Sequence, residues 1–254
     1  MRRIVLKVGS AVLTQDDAIA LERMRALVAF IAELKKDNEV ILVSSGAVSA
    51  GFTELQLDRS IVANKQALAS IGQPILMSKY SKKFEKHNLK CSQVLVTSVN
   101  LNKPDDINRI RNTIEILLEN NVVPIVNEND ATSTEELEVG DNDQLSAYIA
   151  KDTNADILVL LSDIDAYYDK DPRKNEDASV FKTLDTIPSE ELEKEVTPNS
   201  VFATGGIVTK LKAGQYVLEN GIPMFLASGF DLTDVKSFLI DNKHLGGTLF
   251  EVKL

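Results

Sequence analysis

Five short stretches hold the residues able to do chemistry on an anion. In "KVGSAVLT" (7–14), Lys7 interrupts an apolar run and stands two positions before Gly9 and Ser10. In "VSSGAVSAG" (43–51), Ser45 and Gly46 end a second apolar run in a loop with no charge. "VNENDAT" (126–132) and "VGDNDQLSA" (139–147) gather Asn127, Asn129, Asp130, Asp141, Asn142 and Asp143. "FATGGIVTKLKAG" (202–214) places Thr204, Gly205 and Gly206 ahead of Lys210. Glycine lets the backbone come close to a ligand, and the unpaired N–H groups that open a helix hold anions. A lysine fixed beside such a loop stabilises a phosphoryl group in transfer. The acids and amides can hydrogen-bond an ammonium, orient a lysine or share a metal. Each stretch also has a plainer reading: a tight strand-to-helix turn for the glycines, an edge or snorkelling position for Lys7, solvated lysines at 210 and 212, and a helix N-cap for "GDNDQ".

Other chemistries lack their motifs. There is no G-x-x-x-x-G-K-[ST] and no G-x-G-x-x-G. "DIDAYYDKDPRK" has Tyr168 where an EF-hand loop needs glycine. His87 and His244 have no Cys or His neighbours at metal-ligand spacing and read as surface residues.

The elements that position these stretches alternate. Runs at 4–8, 40–44, 91–97, 122–127 and 156–162 are short, apolar and rich in β-branched residues, as strands are. Between them, 21–38, 61–70, 75–84, 107–120 and 142–153 space apolar residues three and four apart, as helices do. Such alternation builds βαβ units and a mainly parallel sheet with helices on both faces. The expected fold class is α/β, a three-layer αβα sandwich. A TIM barrel is less suited, because the insertion 133–140 and the irregular stretch 163–199 break an eightfold rhythm. The chain is expected to form one domain, with an N-terminal lobe of about 1–155 and a C-terminal lobe of about 156–254. Open parallel sheets bind ligands beyond the carboxyl ends of their strands. The polar clusters fall at those ends and are expected to line one crevice.

The 254 residues suffice for a full core, and the composition is 44% hydrophobic and 26% charged. A net charge of −10 argues against nucleic-acid and anionic-membrane surfaces as partners, though not against small anions held locally. Cys91 is the only cysteine, which suits a reducing compartment. The apolar run at the N-terminus is too short for a signal peptide, and the expected location is cytoplasmic.

On these blocks the sequence resembles the amino acid kinase family. "KVGSAVLT" is similar to an opening K-x-G-[ST]-x-x-L-T, and "VSSGAVSAG", "VPIVNENDA", "VGDNDQLSA", "LLSDIDAYYDKDP" and "ATGGIVTKLKA" follow in the family's order. The resemblance is to the branch that phosphorylates the γ-carboxylate of L-glutamate, the first step of proline synthesis. Aspartokinases and uridylate kinases open differently. The resemblance implies that Lys7 and Lys210 flank the transferring phosphoryl group and that Asp143 orients both. It implies backbone N–H groups from Gly9 and Gly46, and glutamate held by Ser45, Gly46, Asp130 and Asn142 with Asn127 and Asp141 in support. ATP would be bordered by Lys7, Gly9, Ser10, Ser162, Asp163, Thr204, Gly205, Gly206 and Lys210. Mg²⁺ would come with ATP, with no metal ligand named in the protein. Proline as feedback inhibitor and a homodimer or homotetramer are further expectations of the resemblance. The chain departs from common family patterns at Ile207 and Ala166, and it ends where many relatives continue into an RNA-binding-like PUA domain, so none is expected. Two other readings stay open: another acyl-phosphate kinase such as an N-acetylglutamate kinase, or an amino-acid sensor on the same scaffold without catalysis.

Overall fold

The computed structural model describes residues 1–132, 142–172, 174–192 and 206–253. The chain begins with β1 (Arg2–Val8), the short helix α1 (Ser10–Leu13), and a small antiparallel pair, β2 (Thr14–Gln15) and β3 (Ala18–Ile19). Helix α2 (Leu21–Leu34) leads to β4 (Asn38–Ser44), then α3 (Ala47–Leu55), α4 (Val62–Phe84) and β5 (Lys90–Val96). Next come α5 (Ser98–Leu101), α6 (Pro104–Glu119), β6 (Val122–Glu128), α7 (Asn142–Asp152) and β7 (Ile157–Ser162). The remainder supplies β8 (Thr183–Leu184), α8 (Ser189–Leu192), α9 (Gly206–Glu219), β9 (Met224–Ser228), α10 (Thr233–Leu239) and β10 (Thr248–Phe250).

Eight strands form one sheet in the order β5-β6-β4-β1-β7-β9-β10-β8, open at both ends and parallel except where β10 meets β9. The expected three-layer α/β sandwich is therefore the fold, and it is not a barrel. The chain leaves β1 toward β4 on one side and pairs β7 on the other. That reversal makes β1 a switch point, where doubly wound sheets open a crevice for ligands.

Two cores flank the sheet. Side chains alternate along a strand, so Ile4, Leu6 and Val8 of β1 pack on one face with Met24, Phe30 and Ile31 of α2 and Leu76 and Tyr80 of α4. Val5 faces the other way, toward Leu145 and Ile149 of α7 and Val208 and Leu211 of α9. Lys7 belongs to that second face by the same alternation. It stands where an apolar residue would otherwise continue the core.

Two features differ from what periodicity suggests. The helical patterns at 61–70 and 75–84 are one continuous helix, α4, which runs through Pro74. Proline removes only its own N–H bond, to the carbonyl of Ser70, and Ser70 and Pro74 both lie on the exposed side. The second feature is His244, expected at the surface. It is half-buried beside Phe225 and Phe238, with its Nε2 3.2 Å from the Gly247 carbonyl oxygen.

Cys91 is half-buried on the edge strand β5, and burial, reinforced by nearby Glu85, pushes its thiol up to about 11. The reactive thiolate is then roughly a hundredfold scarcer at neutral pH than in a free cysteine. Iodoacetamide at pH 8, followed by intact mass, is expected to label the folded protein at least about tenfold more slowly than a cysteine peptide. Equal rates would contradict this.

Candidate active site

The centre of the site is Asp143, the second residue of α7, which is fully buried. Its Oδ1 is ion-paired with Lys7 Nζ from the end of β1. Its Oδ2 accepts hydrogen bonds from Lys210 Nζ at 3.0 Å and from Thr209 Oγ1 at 3.0 Å, both on α9. Lys7 is 3% exposed and Lys210 5% exposed, which rules out a snorkelling Lys7 and a solvated Lys210, whereas Lys212 is exposed. β1 is also interior to the sheet, not an edge. Three elements distant in sequence thus deliver the cluster to one point. Burial alone would raise the Asp143 carboxyl, but the two ammonium groups outweigh it and hold that carboxyl well below the usual carboxylate range. Among the described residues, Lys7 and Lys210 share the single carboxylate of Asp143, two cations on one anion inside an acidic protein. Buried charge of this kind is costly unless paired, and here its sign suits an incoming anion.

Around the cluster lie the glycine loops. Gly9 precedes α1, and an added Cβ there would stand 3.7 Å from Lys7 Nζ. The Gly9 N–H, expected to face the ligand, instead donates to the Leu161 carbonyl at 3.2 Å. Gly9 therefore contributes room, while Ser10 lies exposed just beyond it. Gly46 adopts φ 110°, a left-handed conformation that suits glycine, and its missing side chain leaves the first-turn N–H groups of α3 uncapped. The two serines ahead of it divide. Ser44 Oγ turns away to Tyr80 Oη at 2.8 Å, and Ser45 Oγ accepts from Asn142 Nδ2 at 2.7 Å.

A cleft of about 320 Å³ opens here, lined among others by Ser10, Ser45, Gly46, Asn127, Asp130 and Asn142. It is of a size for a small metabolite. Ser162 and Asp163 close the end of β7, with Ser162 Oγ donating to Asp163 Oδ1 at 3.0 Å. Gly206 opens α9. Asp141, Thr204, Gly205 and the insertion 133–140 lie outside the described residues. Among the described residues, no three His, Cys, Asp or Glu side chains group to hold a metal ion. Both oxygens of Asp143 are already engaged by lysines and Thr209.

Three contributors were not singled out from sequence. Thr209 is a third donor to Asp143, and its place one residue before Lys210 in "VTK" was the available signal. Gln73 on α4 accepts from Asn127 Nδ2 at 3.0 Å, and nothing in an apolar helical pattern marks it. Arg23 on α2 lies 3.3 Å from the carbonyls of both Val12 and Thr14, with the Phe230 ring over its guanidinium at 4.6 Å. It holds the carbonyl end of α1, whose other end faces the site.

Comparison with known proteins speaks for the family and the fold. A family model described as "Amino acid kinase family" matches residues 2–228. A protein of Wolinella succinogenes named "Glutamate 5-kinase" is 50% identical over 255 residues, covering 98% of this chain and 98% of the relative. One of Leishmania donovani with the same name is 49% identical over 250 residues, covering 98% and 95%. Among solved structures, the T. acidophilum isopentenyl phosphate kinase product complex aligns with a TM-score of 0.69 at 17% identity, over 98% of this chain and all of that one. A carbamate kinase from Giardia lamblia bound to AMP-PNP aligns with a TM-score of 0.69 at 16% identity, over 98% of each chain. At such identities the structures speak for the fold alone.

Proposed function

This chain belongs to the amino acid kinase family, and we propose that it transfers the γ-phosphoryl group of ATP to the γ-carboxylate of L-glutamate, giving glutamyl 5-phosphate, the first intermediate of proline synthesis. The observation that carries this reading is the buried Lys7–Asp143–Lys210 cluster, two lysines on one carboxylate, adjoining a small polar cleft at the switch point of the sheet. The shared name of the full-length relatives supplies the substrate.

The step needs no protein nucleophile. A γ-carboxylate is already ionised at neutral pH. One of its oxygens forms the new bond to the γ-phosphorus, the bond from that phosphorus to the β–γ bridging oxygen breaks, and ADP leaves with the electron pair. No proton moves. Catalysis then rests on alignment and on stabilising charge at the transferring group. Lys7 and Lys210 would flank that group, one from each side of Asp143, and Asp143 with Thr209 would fix where the ammonium groups lie. Gly9 and Gly46 allow two anions to approach without adding negative charge. Ser45, Gly46, Asp130 and Asn142, supported by Asn127 and Asp141, would hold glutamate. Ser10, Ser162, Asp163 and the 204–210 segment would border the nucleotide. This assigns glutamate to the lobe of about 1–155 and most of the ATP contacts to the lobe of about 156–254, with Ser10 and Lys7 reaching ATP from the first lobe. Mg²⁺ arriving with ATP would neutralise part of the phosphate charge. No helix among the described residues is long and apolar enough to cross a membrane. A cytoplasmic location, feedback inhibition by proline and a homo-oligomeric state belong to the same proposal and rest on the resemblance.

Asp130 and the neighbouring amides suit a free ammonium, whereas an acetylated amine needs an apolar pocket. Acyl phosphate formed with ATP and trapped as the hydroxamate is expected with L-glutamate and only weakly with N-acetyl-L-glutamate or L-aspartate. Comparable turnover of glutamate and its N-acetyl derivative would reassign the pocket. No product from any of the three in a folded, ATP-binding protein would favour an amino-acid sensor.

A further inference from the structure

A chain of side-chain amides runs from the cleft through two buried links to the exposed Gln93 on β5. Asn142 Nδ2 donates to Asn127 Oδ1 at 3.0 Å, Asn127 Nδ2 to Gln73 Oε1 at 3.0 Å, and Gln73 Nε2 to Gln93 Oε1 at 3.0 Å. Its sense is fixed by backbone groups that can act in only one way. The Glu128 N–H donates to Asn127 Oδ1 at 2.9 Å, so the oxygen of that amide faces the site and its nitrogen faces Gln73. The Ser44 carbonyl accepts from Asn142 Nδ2 at 3.3 Å, and Ser45 Oγ receives it at 2.7 Å. The nitrogen of Asn142 is therefore wholly spent on the protein. Its Oδ1 is buried and finds no hydrogen-bond donor among the described residues. A buried acceptor left unpaired is unfavourable, and Asn142 lines the cleft.

Gln73 and Asn127 are 7% and 2% exposed, so these two middle links do not exchange freely with water. Gln73 sits one residue after Gly72, the point where α4 meets the backbone of α3 most closely. Its position is thus set by helix packing rather than by the site itself.

We propose that Gln73 is a positioning residue for substrate recognition: through Asn127 it holds Asn142 with its carbonyl oxygen free to accept an N–H from the α-ammonium of the amino-acid substrate. This rests on the glutamate-kinase reading above and names what selects the amine. A substrate without the amine gains nothing from that oxygen.

The test compares L-glutamate with glutarate, the same dicarboxylate without the amine, in native protein and in Gln73→Met and Gln73→Glu. Methionine fills the space with no acceptor for Asn127, and glutamate keeps one. In Gln73→Met the KM for L-glutamate is expected to rise on the order of tenfold, the scale of one lost hydrogen bond, with the KM for ATP unchanged. The ratio of kcat/KM for glutamate over glutarate is expected to fall by a similar factor, and Gln73→Glu to restore it to within about threefold. A folded Gln73→Met that keeps the native ratio, or that loses both substrates equally, would make Gln73 a packing residue only and overturn the proposal. If Gln73→Met does not fold, a folded Gln73→Glu with a lowered ratio would overturn it equally. Native protein inactive on glutamate would instead overturn the underlying functional reading.

Discussion

Replacing Lys210 or Lys7 by alanine is expected to lower kcat at least ~100-fold, the scale of losing one group that stabilises transition-state charge. Asp143→Asn is expected to cost more than either, although it barely changes shape. It removes the carboxylate that both buried ammonium groups share, and leaves them close together without it. Like charges at this range drive one lysine to give up its proton, so the site would lose net charge as well as geometry. Breaking a buried pair by removing one partner also destabilises the fold, by roughly 3–5 kcal/mol. Steady-state kinetics at saturating ATP and glutamate, paired with thermal melts, would separate the two effects. A folded Asp143→Asn with kcat within about threefold of native would remove the cluster from the mechanism.

The pH dependence follows from the same cluster. The folded-state value of Asp143 lies below its ordinary 3.8. Its stabilising contribution is therefore complete above 3.8 and is lost only as pH falls through the lower folded-state value. An acid limb in activity at higher pH must come from another group, such as the terminal phosphate of ATP, at about 6, or the substrate γ-carboxylate, near 4.3 when free.

Gly72→Ala is expected to destabilise the protein by roughly 3 kcal/mol or more, the upper range for overpacking, and to lower the melting temperature by at least about 6 °C. Helix propensity predicts the opposite sign, because alanine is the better helix former by about 1 kcal/mol. Geometry decides against propensity here. A Cβ on Gly72 would lie 1.8 Å from the Ala47 carbonyl oxygen and 2.4 Å from the Gly51 nitrogen, and a Cβ on Gly51 would lie 1.9 Å from the Leu68 carbonyl oxygen. These are backbone atoms, which cannot rotate aside. Relief requires α3 and α4 to part, and α3 begins at the Gly46 turn beside the cleft. Activity is therefore expected to fall together with stability. Gly51→Ala probes the same seam from the other side. A Gly72→Ala protein that melts within about 2 °C of native would show that the seam yields easily.

Much of the molecule could be read from the chain itself. Apolar runs alternating with helical spacing specified a parallel α/β sheet, because buried strands and amphipathic helices each impose a local period. The polar clusters could be placed at strand ends because they directly follow those runs. Local signals have limits, however. They split α4 at Pro74, although the helix continues because the lost bond falls on its exposed side. They passed over β8, β9 and β10, whose short segments gain their identity from the neighbours they pair with. They also left Lys7 ambiguous between an edge position and a site. Only strand order puts β1 in the interior of the sheet, and only the packing of α7 and α9 on one face brings Asp143 and, 67 positions later, Lys210 to it. Gln73 was invisible for the same reason. A hydrogen bond to a residue 54 positions away leaves no periodic trace in sequence, and its partner is chosen by the seam between α3 and α4. Residue types and local periods determined what the chain could build and what chemistry it carries. The register of one strand against another, and the approach of one helix to another, decided which of those groups meet.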